Sequence, residues 1–172
     1  MDIVFSADQI RFRVEELGWQ ISNEYGRVES EPIVICVLKG AMLFFADLVR
    51  NIHVPIECEF IRISTYENGT ESTGKINHLS KITSNIEGRD ILIVEDIIDT
   101  GHTLKFLYGH LLQFKPKSIK SCVLLDKKSR RETQIMVDFV GFECPDIFVV
   151  GYGLDDCEKH RNLPFITCKK GF

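Results

Sequence analysis

The 172-residue chain predicts a single α/β domain built on a central parallel sheet. Residues 33–38 and 91–94 are unbroken runs of apolar, largely β-branched residues, and only a strand covered on both faces can be apolar without alternation. Residues 119–125 close on a third such run. The 91–94 run ends in a polar loop and then gives Leu104, Leu107 and Leu111 at helical spacing, the strand, loop and helix order of a doubly covered sheet.

In chain order, Ser6 and Gln9 form a capping box for a helix carrying Ile10, Val14, Leu17 and Ile21, which ends before Gly26. Glu31-Pro32 introduces the 33–38 strand, which runs straight into Lys39-Gly40. The helix predicted over 41–50 is apolar almost all round (Met42, Leu43, Phe44, Phe45, Leu48, Val49). It therefore needs cover from the sheet and from a second subunit. Residues 56–64 alternate Ile56, Cys58 and Phe60 against Glu57 and Glu59, as a strand partly open to solvent does. The polar stretch 65–75 is too long for a tight turn, so it reads as a mobile surface loop or a long hairpin arm, and loops of this size are often active-site lids. After the 88–90 turn and the opening strand come the 119–125 strand, a basic turn at 126–131, and a short strand over 138–142. The segment 147–155 gives a last strand with a glycine-rich exit, and 166–168 an edge strand.

Composition sets bounds on function. Hydrophobic residues make up 44% and charged residues 27%, an ordinary globular mixture, and there is no run of about 18 apolar residues to cross a membrane. The start of the chain lacks a signal-peptide pattern, so a cytoplasmic location is expected. Six cysteines without C-x-x-C spacing and five scattered histidines indicate neither zinc nor a disulfide framework; Cys36 and Cys122 read as small buried hydrophobes. A net charge of −4 argues against non-specific nucleic-acid binding.

The loop after 91–94 carries the chemistry. Gly101 lets backbone approach a ligand, Thr100 and Thr103 supply hydroxyl donors, and the following helix supplies unpaired amides, so a phosphate fits there. Glu95 and Asp96, just upstream, accept hydrogen bonds and suit sugar hydroxyls or hydrated Mg²⁺. The whole loop suits a phosphorylated ribose. Taken singly, Asp99 also reads as a helix N-cap and the acid pair as a solvated turn.

The string Val94-Glu95-Asp96-Ile97-Ile98-Asp99-Thr100-Gly101, followed by Thr103-Leu104, resembles the ribose-phosphate signature of type I phosphoribosyltransferases in the form typical of hypoxanthine-guanine phosphoribosyltransferases. The resemblance implies the fold of that family over residues 1–172, with a small hood from the N- and C-terminal segments and a flexible lid at about 65–76. It also implies a purine-salvage activity: Mg²⁺-dependent transfer of the phosphoribosyl group of 5-phospho-α-ribosyl-1-pyrophosphate (PRPP) to N9 of hypoxanthine or guanine, giving IMP or GMP and pyrophosphate.

Roles carried over by this resemblance are assigned position by position. Lys39-Gly40 matches the pyrophosphate loop, and Arg161 the pyrophosphate-binding arginine, suited by its planar fork of donors. Glu95 and Asp96 match the ribose and metal acids, and the amides and hydroxyls of 99–103 the 5′-phosphate cradle. Asp99 matches the proton acceptor at purine N7. Lys127 matches the donor to the purine 6-oxo group, which selects against adenine because a lysine has no acceptor. Phe148 and Val149 match the purine pocket, and Leu154-Asp155 the segment beside the base that holds Mg²⁺ through water. Thr65-Tyr66 matches the lid dipeptide, with threonine where serine is usual. His102 stands where lysine is frequent in relatives, which removes a charge near the phosphate. Lys128, Arg130 and Arg131 read as a solvated basic turn. A homodimer or homotetramer is expected. The competing readings are a relative acting on xanthine or a pyrimidine, a non-enzymatic RNA-binding regulator of the same fold, which the absence of a broad basic face disfavours, and a receiver-like domain, which leaves the Asp-Thr-Gly-x-Thr turn unexplained.

Overall fold

The computed structural model describes residues 2–68 and 71–168, with side chains outside 64–78. Strand β1 (Asp2–Phe5) leads into helix α1 (Ala7–Tyr25), which starts at Ser6 with both halves of the capping box formed. Strand β2 (Ile33–Leu38) is followed by α2 (Met42–Arg50) and by a long antiparallel arm, β3 (Glu57–Asn68) and β4 (Glu71–Leu79). Then come β5 (Asp90–Ile98), α3 (His102–Leu112), β6 (Ser118–Asp126), β7 (Phe139–Glu143), β8 (Val149–Val150) and β9 (Ile166–Cys168).

The main sheet runs β4-β3-β2-β5-β6-β7, with five parallel strands and β4 antiparallel at one edge. Every residue from Ile33 to Val37 and from Asp90 to Glu95 is buried, as expected of strands covered on both sides. Alternate residues feed two cores. Val34, Cys36, Leu92 and Val94 pack against Ile10, Val14, Leu17, Phe44 and Leu48 of α1 and α2; Ile33, Ile35, Ile91, Ile93 and Val123 pack against Leu104, Leu107 and Leu111 of α3. Cys36 and Cys122 are buried free thiols. Among the described residues no helix is long and apolar enough to cross a membrane.

Two sequence expectations are corrected here, over 147–155 and over 166–168. In β3 the alternation holds, with the acid on the inner face: Cys58 and Phe60 face out and Glu59 is 8% exposed. Glu59 is buried because its carboxylate accepts from the amides and hydroxyls of both Thr83 and Ser84, and from the Phe60 amide, so the acid pins the segment that follows the arm. The 147–155 segment keeps only Val149–Val150 as strand, since Gly151, Tyr152 and Gly153 all take positive φ and turn the chain away. Residues 166–168 form not an edge but the middle strand of a second sheet, β1-β9-β8, because the N-terminal β1 pairs on its other side. Of the expected lid, residues 65–68 lie on β3 and 71–76 on β4, with Thr65 opposite Ile76.

Candidate active site

Register brings the carboxyl ends of β2, β5 and β6 to one edge. Cys36 lies opposite Val94 and Ile98 opposite Asp126, so Lys39-Gly40 emerges beside the acid pair and Lys127 beside Asp99. The Lys127 amide donates to the Ile98 carbonyl at 3.0 Å. The β5 exit itself encloses a cavity of about 250 Å³ lined by Glu95, Asp96, Asp99, Thr100, Gly101 and Thr103. Ligands of open parallel sheets bind at such strand ends.

Gly101 has φ 87°, and a Cβ there would collide with Thr133 Oγ1, so glycine is needed on both counts. The Thr100 carbonyl accepts from the amides of Glu132 and Thr133 at 3.0 and 3.2 Å, which ties the loop to the turn after β6. Helix α3 starts at His102, and the first amides of a helix lack intrahelical acceptors. That is an anion cradle of backbone N–H groups and threonine hydroxyls.

One of the two acids beside it, Glu95, is short of donors. Glu95 is 7% exposed, and its Oε2 has no hydrogen-bond partner among the described residues. Burial, reinforced by the Asp96 charge, pushes its carboxyl up to about 8. Burial also raises Asp96, to about 6, against the opposing Ile97 amide and the Arg161 charge. A cation or a pair of sugar hydroxyls would supply the missing partners. Among the described residues no group of three or more His, Cys, Asp or Glu side chains forms a ready metal cage. An orphaned Glu95 oxygen beside the Asp96 carboxylate is an oxygen-only partial set of the kind Mg²⁺ takes when substrate oxygens complete its shell, so the residues present fit the ion.

The loops after β2 and β8 close the other side. The Leu38-Lys39 peptide is cis. A Cβ on Gly40 would overlap the Asp96 carboxylate, and one on Gly153 would overlap the Gly40 carbonyl, so the Gly40 backbone is packed between the Asp96 side chain and the Gly153 turn. Arg161 donates to the Gly153 carbonyl at 2.7 Å and pairs with Asp155 at 2.8 Å; Lys39 pairs with Glu158 at 2.9 Å. Val149 and Leu154 are buried, whereas Phe148 is 53% exposed.

The structure therefore brings together Lys39, Gly40, Glu95, Asp96, Asp155 and Arg161 on one side, and Asp99, Thr100, Gly101, Thr103 and Lys127 on the other. The side chains of Thr65 and Tyr66 lie outside the described residues. His102 Nε2 meets Glu132 Oε2 at 2.8 Å on the exposed rim.

The solvated basic turn is corrected at one of its three residues, Arg131; Arg130 stays exposed and pairs from the surface. Arg130 Nε donates to Asp99 Oδ1 at 2.7 Å; Arg131 is mostly buried, pairing with Asp126 and donating to the Ile135 carbonyl at 3.0 Å. Asp126 is 5% exposed, and a buried carboxylate needs a countercharge. Lys128 pairs with Glu143 at the surface, as a solvated lysine does. Sequence reasoning also missed Glu158, which carried no local signal.

A profile of the phosphoribosyl transferase domain family matches residues 2–156. The chain is 48% identical over 168 residues to the hypoxanthine-guanine phosphoribosyltransferase of Bacillus subtilis, covering 98% of this chain and 92% of that one. It is 46% identical to the enzyme of the same name from Aquifex aeolicus, covering 95% and 92%. A crystal structure of a hypoxanthine-guanine phosphoribosyltransferase from Bacillus anthracis, with a HEPES molecule in its active site, superposes with a TM-score of 0.92 at 46% identity and 99% coverage of both chains.

Proposed function

Because this chain belongs to the phosphoribosyltransferase family, as a hypoxanthine-guanine member, we propose that it transfers the 5-phosphoribosyl group of PRPP to N9 of hypoxanthine or guanine, yielding IMP or GMP and pyrophosphate. The observation that carries the reading is the junction of three subsites at one sheet edge. An amide and hydroxyl cradle, an acid pair with one orphaned oxygen and a cationic loop pair match the phosphate, ribose and pyrophosphate of one substrate.

In this reading Asp99 to Thr103 bind the 5′-phosphate, and Glu95 and Asp96 accept from the ribose hydroxyls. Lys39, the Gly40 backbone and Arg161 hold the pyrophosphate. Glu95 and Asp96 would hold Mg²⁺, with Asp155 reaching it through water, and the ion when bound would supply charge neutralisation to the leaving pyrophosphate. Phe148 and Leu154 flank the base and Lys127 donates to its 6-oxo group, while main-chain groups of Val149 meet its edge. As the bond from C1 to pyrophosphate lengthens, the sugar gains oxocarbenium character, and fixed donors around the departing oxygens lower that barrier. Asp99 takes the proton from purine N7, which requires it to leave Arg130 for the base. The β3–β4 arm carrying Thr65 and Tyr66 serves as the lid that excludes water from the ribosyl cation.

The same reading takes the chain as one domain with a β1-β9-β8 hood and a homo-oligomer in solution. Exposed Met42 and Phe60, on α2 and β3, support a subunit contact there. A reducing cytoplasm suits the buried free thiols. The test is a spectrophotometric assay with PRPP, offering hypoxanthine, guanine, xanthine, adenine and uracil separately, with and without chelator. Turnover of hypoxanthine or guanine that EDTA abolishes and Mg²⁺ restores is expected. No turnover of any base, under conditions where PRPP binds, overturns the enzyme reading.

A further inference from the structure

We infer that Glu158 is an internal competitor of pyrophosphate: its one carboxylate bridges Lys39 and Arg161, the two cations that pyrophosphate requires. The inference rests on the function proposed above and concerns how tightly that site holds its substrate and its product. Glu158 Oε1 lies 2.9 Å from Lys39 Nζ, and Oε2 lies 3.3 Å from an Arg161 terminal nitrogen. An anion spanning two cations through separate oxygens is the binding pattern of a diphosphate.

The backbone delivers the carboxylate. Glu158 has φ 63°, in the left-handed region, and its amide donates to Asp155 Oδ2 at 2.8 Å, which folds the loop back toward β2. Arg161 is anchored independently, by the Gly153 carbonyl at 2.7 Å and Asp155 at 2.8 Å, and its side chain is 20% exposed. Glu158 is the solvent-facing partner, with a side chain 64% exposed. Exchange with pyrophosphate therefore swings Glu158 out and leaves Arg161 where it is. Lys39, Arg161, Asp155 and Glu158 together carry two positive and two negative charges, so loss of Glu158 leaves the cluster net positive. Exposed ion pairs are weak, which suits a contact that opens and closes on every turnover.

Glu158→Gln tests this, with titration calorimetry of inorganic pyrophosphate in Mg²⁺ and steady-state kinetics on the same preparations. Releasing two exposed pairs should tighten pyrophosphate binding and lower KM for PRPP by about fivefold, with KM for hypoxanthine unchanged. A circular dichroism melt coincident with wild type establishes that the variant is folded. Unchanged or weaker pyrophosphate binding, with wild type active, overturns the competitor role and leaves the enzyme reading standing. An inactive wild type overturns both.

Discussion

Gly153→Ala is the sharpest perturbation of the proposed site. Gly153 has φ 101°, where a side chain strains the backbone, and the added Cβ would overlap the carbonyl oxygen of Gly40. The backbone strain alone costs about 1–2 kcal/mol. Ordinary contact needs about 3.5 Å, so relieving the overlap must separate the Gly153 turn from the Lys39-Gly40 loop by more than ~1 Å. Misplacement on that scale costs about 100-fold in rate, equivalent to roughly 2.7 kcal/mol. Because the proposed pyrophosphate site combines the Lys39-Gly40 loop with Arg161, which is anchored on the Gly153 carbonyl, both KM for PRPP and kcat should worsen. Gly88→Ala is the matched control: φ is 71°, and nothing lies within 4 Å of the added methyl, so it meets backbone strain without displacing a loop. The assay is kcat/KM for IMP formation beside thermal unfolding of both variants. Gly88→Ala should lose stability and keep activity, whereas Gly153→Ala should lose both. A folded Gly153→Ala with kcat/KM within twofold of wild type would refute the close loop packing as a catalytic requirement.

Other consequences are as direct. Asp99→Asn should lower kcat by at least about 100-fold, the usual contribution of a general base, and near-normal turnover would remove Asp99 from that role. Lys127→Ala should collapse the preference for hypoxanthine over adenine, measured as a ratio of kcat/KM; an intact preference would mean that main-chain groups alone read the 6-position. Glu59 supplies a pH-dependent stability. Burial raises its carboxyl, but hydrogen bonds from Phe60, Thr83 and Ser84 outweigh that and hold it at about 2, down from 4.5. With its folded value depressed, Glu59 stabilises the protein above about pH 4.5, and that stabilisation, roughly 3 kcal/mol, is lost as pH falls toward 2. Urea unfolding from pH 7 to pH 3 should show Glu59→Gln with a flatter acid limb than wild type, and identical limbs would sink the assignment.

How legible all this was depends on whether the signal is local. Strands β2 and β5 announce themselves by continuous branched apolar residues, and α1 by its cap and spacing, because burial and capping act within a few residues. In β3 a period of two says that the faces differ without saying which is inside; Glu59 is inside because Thr83 and Ser84 satisfy it, and Phe60 is left outside beside Phe45, ring centroids 5.3 Å apart. The central place of β9 depends on β1, whose four residues carry too little pattern to be found. At the site, the acid pair and the phosphate loop were readable because they are contiguous in sequence. Arg130 and Glu158 were not, since their partners Asp99 and Lys39 lie 31 and 119 residues away and only the fold joins them.

The most direct measurement is a crystal structure of the chain soaked with IMP, Mg²⁺ and pyrophosphate. The nucleotide phosphate should sit on the amides of 99–103, with its ribose hydroxyls on Glu95 and Asp96. The 6-oxo group should meet Lys127, and pyrophosphate should lie between Lys39 and Arg161 with Glu158 swung away. Nucleotide bound elsewhere, for example in the groove of about 540 Å³ between α1, α2 and Tyr152, with the β5 loop untouched, would contradict the proposed site.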